Sequence, residues 1–209
     1  MTMQTKLFYF TVVMTAALIT SCGGKKEEKA DATETMAEEI SYTVDPASST
    51  VSWTGEVMGV YGHNGVIDLA EGQITAKGDS ITGGKIVIDM TSIVPLDSAS
   101  FKDEEGSRAS DLVGHLSTGD FFLVEEHPTS SFVIKSHDGS DLTGDLTIRG
   151  ITKEVTATLN SLEANAEGLT GSADLVFNRQ DFEVSWVHFM KDMVLSDDIK
   201  IKLDIQAKP

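Results

Sequence analysis

Cysteine is almost missing from this chain: Cys22 is the only one in 209 residues, so no disulfide can close within it. Cations are also scarce. Sixteen Lys and Arg stand against 33 Asp and Glu, a formal charge of −17. Such a surface repels nucleic-acid phosphates and anionic lipid headgroups, which excludes both as partners recognised by charge. Beyond Ile19 no apolar run is long enough to cross a bilayer, and no period of about 20–50 residues marks a solenoid. The chemical motifs are absent too. There is no HExxH pair, no GxSxG elbow for a Ser-His-Asp nucleophile, and Gly62 to Gly65 is too short and lacks the lysine of a phosphate loop. Asp103-Glu104-Glu105 reads as a solvated acidic loop rather than a hard-cation site. No metal, cofactor or catalytic residue is therefore assigned.

What is present begins at the N-terminus. Lys6 is followed by an apolar run from Leu7 to Ile19, broken only by Thr11 and Thr15. Thirteen residues make about 20 Å of helix, short of the roughly 30 Å hydrocarbon core, which fits a secretory signal and not a spanning helix. Ile19-Thr20-Ser21-Cys22 resembles the lipobox of bacterial lipoproteins, which implies cleavage after residue 21 and acylation of Cys22. Loss of residues 1–21 removes only Lys6 and moves the charge from −17 to −18. Residues 22–40 are small and charged, and read as a lipidated cysteine followed by a flexible linker reaching roughly 20–25 Å on average. Gly23, in place of an aspartate, resembles the sorting pattern of outer-membrane lipoproteins. The expected location is the cell envelope, lipid-anchored at the outer membrane. Residues 41–209 remain for one folded domain.

That domain alternates with a period of two. Val51, Trp53 and Val57 share one face against Ser52, Thr54 and Glu56; Ile86, Ile88 and Met90 repeat the pattern. Phe132 with Ile134, Leu146 with Ile148, and Val155, Ala157 and Leu159 follow. Leu169, Ala173, Leu175 and Phe177 come next, then Ile199, Ile201, Leu203 and Ile205. One buried and one wet face is the mark of antiparallel sheet, and Thr82-Gly83-Gly84 and Arg149-Gly150 offer hairpin turns. About eight such strands predict a barrel or sandwich. Ser107 to Leu116 breaks the pattern and predicts a short helix capped by Ser107, with a second helical turn near Asp120 carrying Phe121 and Phe122 and ended by Pro128.

The order and spacing of short blocks across Tyr42 to Ala207 resemble the YceI-like family of exported barrels. The blocks are Tyr42-Thr43-Val44-Asp45-Pro46, Trp53-Thr54-Gly55, His63-Asn64-Gly65, Ile88-Asp89-Met90 and His115 through Phe122 with His127-Pro128. Gly144 through Gly150, Phe177-Asn178-Arg179 with Asp181-Phe182, and Asp198-Ile199 complete them. There is one departure: Glu183-Val184 stands where many members carry Gly-Val, which puts a turn near the barrel mouth in question. The resemblance implies an all-β, eight-stranded antiparallel lipocalin-like barrel with one or two short helices, holding a polyisoprenoid, quinone or fatty-amide chain. An interior of eight strands is just wide enough for packed side chains or one slim ligand. In a ligand-bearing barrel the candidate wall residues are Trp53, His63, His115, Phe121, Phe122, Phe132, Phe177, Phe182 and Trp186.

His63 and His115 are expected to hydrogen-bond a loop or helix end, and Arg149 and Arg179 are the matched cations available to a charged head. Lys85, Lys135 and Lys153 are further candidates. The net negative charge favours a neutral lipid over a diphosphate. The leading expectation is a membrane-tethered, non-enzymatic lipid carrier, with a homodimer as a modest expectation from related barrels. A structural or stress-protective envelope protein with a side-chain-filled barrel is the alternative.

Overall fold

The computed structural model describes residues 38–58, 61–186 and 194–209. The expected signal, Cys22 and most of the expected linker lie outside the described residues. The chain is arranged as strands β1 (Glu39–Val44), β2 (Thr50–Val57), β3 (Tyr61–Ile67), β4 (Leu69–Lys77), β5 (Ser80–Asp89) and β6 (Val94–Pro95), then helix α1 (Ala109–Leu116). Strands β7 (Thr129–Asp138), β8 (Asp141–Ile148), β9 (Ile151–Asn165), β10 (Gly168–Asn178) and β11 (Asp198–Lys208) follow. Every pairing is antiparallel.

These strands close into an eight-stranded barrel, because β1 with β2, and β3 with β4, each act as one interrupted strand. β11 pairs with β2 through Lys200–Asp204 and with β1 through Ala207 and Lys208, so the first two strands run end to end along it. The break between them has a local cause. Asp45 accepts hydrogen bonds from the Ala47 N–H and the Ser48 hydroxyl at 3.1 and 2.8 Å, folding the chain into a tight turn at Pro46. Closure joins the first and last strands, which removes the free edge strands that invite aggregation in an open sheet.

β1 begins at Glu39, so Glu39 and Ile40, read in the sequence as linker, already pair with Lys77 and Ala76. Ile40 packs against the core, which explains the earlier start. The base of the barrel gathers the start of β1, the end of β11 and the β4–β5, β7–β8 and β9–β10 turns. Tyr42, only 1% exposed, packs there and donates its hydroxyl hydrogen bond to the Asn165 carbonyl at 3.0 Å. The opposite end gathers the ends of β2 and β3 that pair at Val57 and Tyr61, the β8–β9 turn, α1 within the long β5–β7 crossover, and residues 179–186 and 194–197 between β10 and β11.

The helical expectations need correction. Arg108, not Ser107, caps α1, and the Asp111 carboxylate accepts the Gly106 and Arg108 backbone N–H groups, both at 2.9 Å. The segment from Asp120 to His127 is a chain of turns and not a second helix. Leu123 sits at φ 48°, in the left-handed region that an L side chain enters only at a cost, and this stops helical propagation.

Glu183, at the departure from the family pattern, also lies at φ 58°. Glycine there relieves the Cβ clash but loses more freedom on folding. Glu183→Gly is therefore expected to raise stability by about 0.5–1 kcal/mol, read as a higher urea midpoint with an unchanged slope.

Candidate ligand-binding site

The inward faces do not meet in the middle. A cavity of about 910 Å³ runs inside the barrel, at the upper end of the range for small-molecule sites. Its wall is the alternating set read from the sequence: Val51 and Trp53, Ile86 and Ile88, Leu159, Leu175, Ile199, Ile201 and Leu203 among others. Leu159, Leu175, Ile201 and Leu203 point inward yet are only half-buried. The surface they keep faces the cavity, since their sequence neighbours Thr158, Lys200 and Lys202 are the exposed ones. Unfilled apolar surface is what a hydrocarbon chain would cover, at about 0.8 kcal/mol per CH₂.

The mouth is built from α1 and the loops around it. Arg108, Asp111, Leu112, His115 and Leu116 line it from one side, Tyr61 and His63 on β3 and Phe101 from others. His115 meets Phe121 and Trp186 edge-on, with ring centroids 4.9 and 5.2 Å apart, and its Nε2 lies 3.8 Å from the Asp120 carboxylate. His63 places Nδ1 2.7 Å from Asp97 Oδ2 and stacks on Phe101 at 5.3 Å. Trp53 donates its Nε1–H to the Val66 carbonyl at 3.2 Å, which turns the ring along the wall. The wall also comes close to the backbone. A Cβ on Gly65 would lie 2.1 Å from the Val94 carbonyl oxygen and 2.7 Å from the Trp53 ring, so only glycine lets β6 and this indole approach.

Burial pushes the Asp97 carboxyl up, but hydrogen bonds from His63 and Ser100 outweigh it and hold the group below its ordinary value of 3.8. A carboxyl lowered by folding adds stability above its unfolded pKa and loses it as pH falls through the folded one. Between pH 5 and pH 2 the melting temperature of the wild type is therefore expected to fall further than that of Asp97→Asn, as calorimetry at matched ionic strength would record.

The candidate residues from the sequence divide cleanly. Trp53, His63, His115, Phe121, Phe122, Phe132, Phe177 and Trp186 all border the cavity. Phe182 does not: it is 0% exposed and packs edge-on against Phe177 with centroids 5.5 Å apart. The reason lies in the ladder. β9 and β10 pair only as far as Thr158 and Asp174, although β9 starts at Ile151 and β10 runs to Asn178. Phe182 and Val184 join Leu146, Ile148 and Phe177 in the apolar cluster beside this open seam, packed against by Ile151 and Val155. Phe182 is a wedge in the wall and not its lining.

Neither matched arginine offers a free guanidinium to the cavity: Arg149 does not border it, and Arg179 is bound to its own partners. Arg179, 3% exposed, donates from Nε to the Ser196 carbonyl at 3.0 Å and from Nη1 to the Val184 and Trp186 carbonyls, and its Nη2 pairs with Asp197 at 3.0 Å. Arg149 occupies the β8–β9 turn with Gly150, at φ 51° and 73°, and donates to the Glu183 carbonyl. Lys135 is held between Asp145 and Glu154 at 2.6 and 3.2 Å. Lys85 and Lys153 are exposed and do not border the cavity.

Sequence reasoning missed Asp97, Tyr61 and Phe101. Phe101 carried a signal, a lone aromatic in an otherwise polar loop; Asp97 carried none, because its partner is 34 residues away.

Fold and cavity together define a hollow, eight-stranded lipocalin-like barrel with one α-helix among the described residues. Residues 42–207 match the YceI-like domain model, and the chain belongs to that family. Among solved structures, BcnA of Burkholderia cenocepacia superposes with a TM-score of 0.63 at 22% identity, covering 79% of this chain and 99% of that one. A polyisoprenoid binding domain from Saccharophagus degradans, implicated in plant cell wall breakdown, gives 0.56 at 10% identity, covering 80% and 97%. These likenesses are of fold. A UPF0312 protein of Staphylococcus aureus (strain MSSA476) is 30% identical over 96 residues, which is 42% of this chain. The chain spans 56% of the length of that curated relative.

Proposed function

We propose that this protein is a lipid-anchored, non-enzymatic carrier or sequestering protein that holds one long apolar lipid inside its barrel. The observation that carries the reading is the hollow interior: a cavity of about 910 Å³ walled by aliphatic and aromatic side chains. Burial of a chain of ten or more methylenes there supplies several kcal/mol without any directed chemistry. The name of the Saccharophagus domain as polyisoprenoid-binding is in keeping with this choice of ligand. A neutral head is favoured over a diphosphate because Arg149 and Arg179 already serve backbone carbonyls. Anchoring through Cys22 at the outer membrane rests on the lipobox-like Ile19-Thr20-Ser21-Cys22 and on Gly23, and would place the barrel beside its reservoir of ligand.

Two measurements test the reading. Titration with a fluorescent long-chain probe should saturate at one probe per chain and quench the Trp53 and Trp186 emission; an absence of saturable binding sinks the carrier role. Labelled palmitate should enter the wild type and not Cys22→Ser, and incorporation into both would end the anchoring claim.

A further inference from the structure

We propose that His63 and Asp97 form a head-group acceptor at the cavity mouth, and that the lipid bound there ends in an uncharged hydrogen-bond donor, a hydroxyl or amide N–H. The inference rests on the lipid-binding reading above. His63 borders the cavity from β3, and its imidazole is fixed on three sides. Phe101 stacks against it with ring planes 10° apart, Tyr61 meets it edge-on at 5.4 Å, and Asp97 Oδ2 lies 2.7 Å from Nδ1. Asp97 Oδ1 is turned toward the Asn64 backbone N–H at 3.4 Å.

The chemistry follows from what a carboxylate can do. It only accepts hydrogen bonds, so the proton between the two groups sits on Nδ1, and a neutral imidazole is left with its lone pair on Nε2. Among the described residues Nε2 has no hydrogen-bond partner, and the side chain is 24% exposed, which leaves this lone pair to a ligand. It forms an oriented acceptor at the rim of an apolar channel. A hydroxyl or amide N–H can donate to it; an ether oxygen cannot. A diphosphate is disfavoured twice, by the adjacent Asp97 charge and by the pairing of both cations that border the cavity among the described residues. Arg108, the other cation bordering the mouth besides the engaged Arg179, lies 3.5 Å from Asp103.

The competing role for the pair is a tie that fastens the Leu96–Phe101 loop to β3. Binding selectivity separates the two, since a tie has no preference among ligand heads. At pH 8, a polyprenyl alcohol, its methyl ether and its diphosphate, all of one chain length, would be titrated into the full-length protein in detergent. The alcohol is expected to bind about 3- to 10-fold more tightly than the ether, the yield of one net hydrogen bond. His63→Phe, which keeps a ring against Phe101, should bind alcohol and ether equally. In Asp97→Asn, where a carboxamide no longer dictates the tautomer, the preference should narrow. Equal binding of alcohol and ether by the wild type overturns the head-group site while leaving the carrier reading intact, and this comparison needs no variant to fold. Tightest binding of the diphosphate overturns it as well. Binding of none of the three overturns the carrier reading, and the head-group site with it.

Discussion

Replacing Ala173 with tryptophan should weaken binding of a long-chain probe by about 100-fold or more while the ligand-free protein stays as stable as the wild type. Ala173 borders the cavity from the middle of β10, flanked in the ladder by Leu159 on one side and Leu203 on the other. An indole there would extend from a wall position into the channel, over the half-buried leucines. Loss of the burial of even four methylenes, at about 0.8 kcal/mol each, reduces affinity by about two orders of magnitude. The stability arm of this experiment carries equal weight. In a close-packed interior, small-to-large substitution costs about 1–3 kcal/mol through strained rotamers and backbone shifts. In a hollow one it covers apolar surface and is neutral or stabilising. Denaturant melts of the ligand-free protein, paired with probe titrations, therefore distinguish a carrier from a barrel filled by its own side chains. A variant that binds normally, or one that is several kcal/mol less stable, contradicts the hollow barrel.

Arg179→Ala should destabilise the protein by about 3–5 kcal/mol. Its guanidinium fans out to the carbonyls of Ser196, Val184 and Trp186 and pairs with Asp197. Burial pulls its pKa down, and Asp197 opposes the effect, so the cation is held by its partners and not by water. Alanine leaves three carbonyls to find new donors, at about 1–3 kcal/mol for each that stays buried and unpaired. The Asp197 ion pair adds little, since that carboxylate is half-exposed. Lysine should not rescue, because a single ammonium cannot reach carbonyls in several directions from one fixed plane. Urea melts measure the loss. Because the same contacts fasten the chain between β10 and β11 beside Trp186 and Leu195 at the mouth, the variant should also release bound probe faster in stopped-flow chases. A loss below 1 kcal/mol would show that the staple is dispensable.

The wall of the cavity was legible because it obeys a local rule. Ile199, Ile201, Leu203 and Ile205 alternate with Lys200, Lys202, Asp204 and Gln206, and period-two patterning needs no knowledge of the partner strand. Alternation says which face is apolar, however, and not whether that face is filled. The hollow appears only once eight strands fix how far apart opposite walls stand. Phe182 stands apart from the lining for a related reason. It lies in a block that resembles the family, but the early end of the β9–β10 ladder makes it a wedge, and that end is set by register rather than composition. Arg179 looked like a candidate for an anionic head because sequence exposes its charge and hides the three carbonyls that consume it. The expected second helix failed at Leu123, whose left-handed backbone is imposed by hydrogen bonds to Thr118 and from His127. Glu183 was the opposite case. The departure from glycine was visible in the sequence, and the structure shows what it means, a left-handed residue with a side chain that would be better removed.

The central claim is that the barrel carries a lipid, and native mass spectrometry tests it most directly. The full-length protein would be extracted in mild detergent from the cells that make it, and its mass recorded before and after denaturation in organic solvent. Any acyl groups carried by Cys22 would survive denaturation, whereas a ligand of the barrel would not. The account predicts one long-chain lipid with an uncharged head per chain, present in the native spectrum and lost from the denatured one. A native mass equal to the denatured mass, in wild type and Ala173→Trp alike, would contradict it.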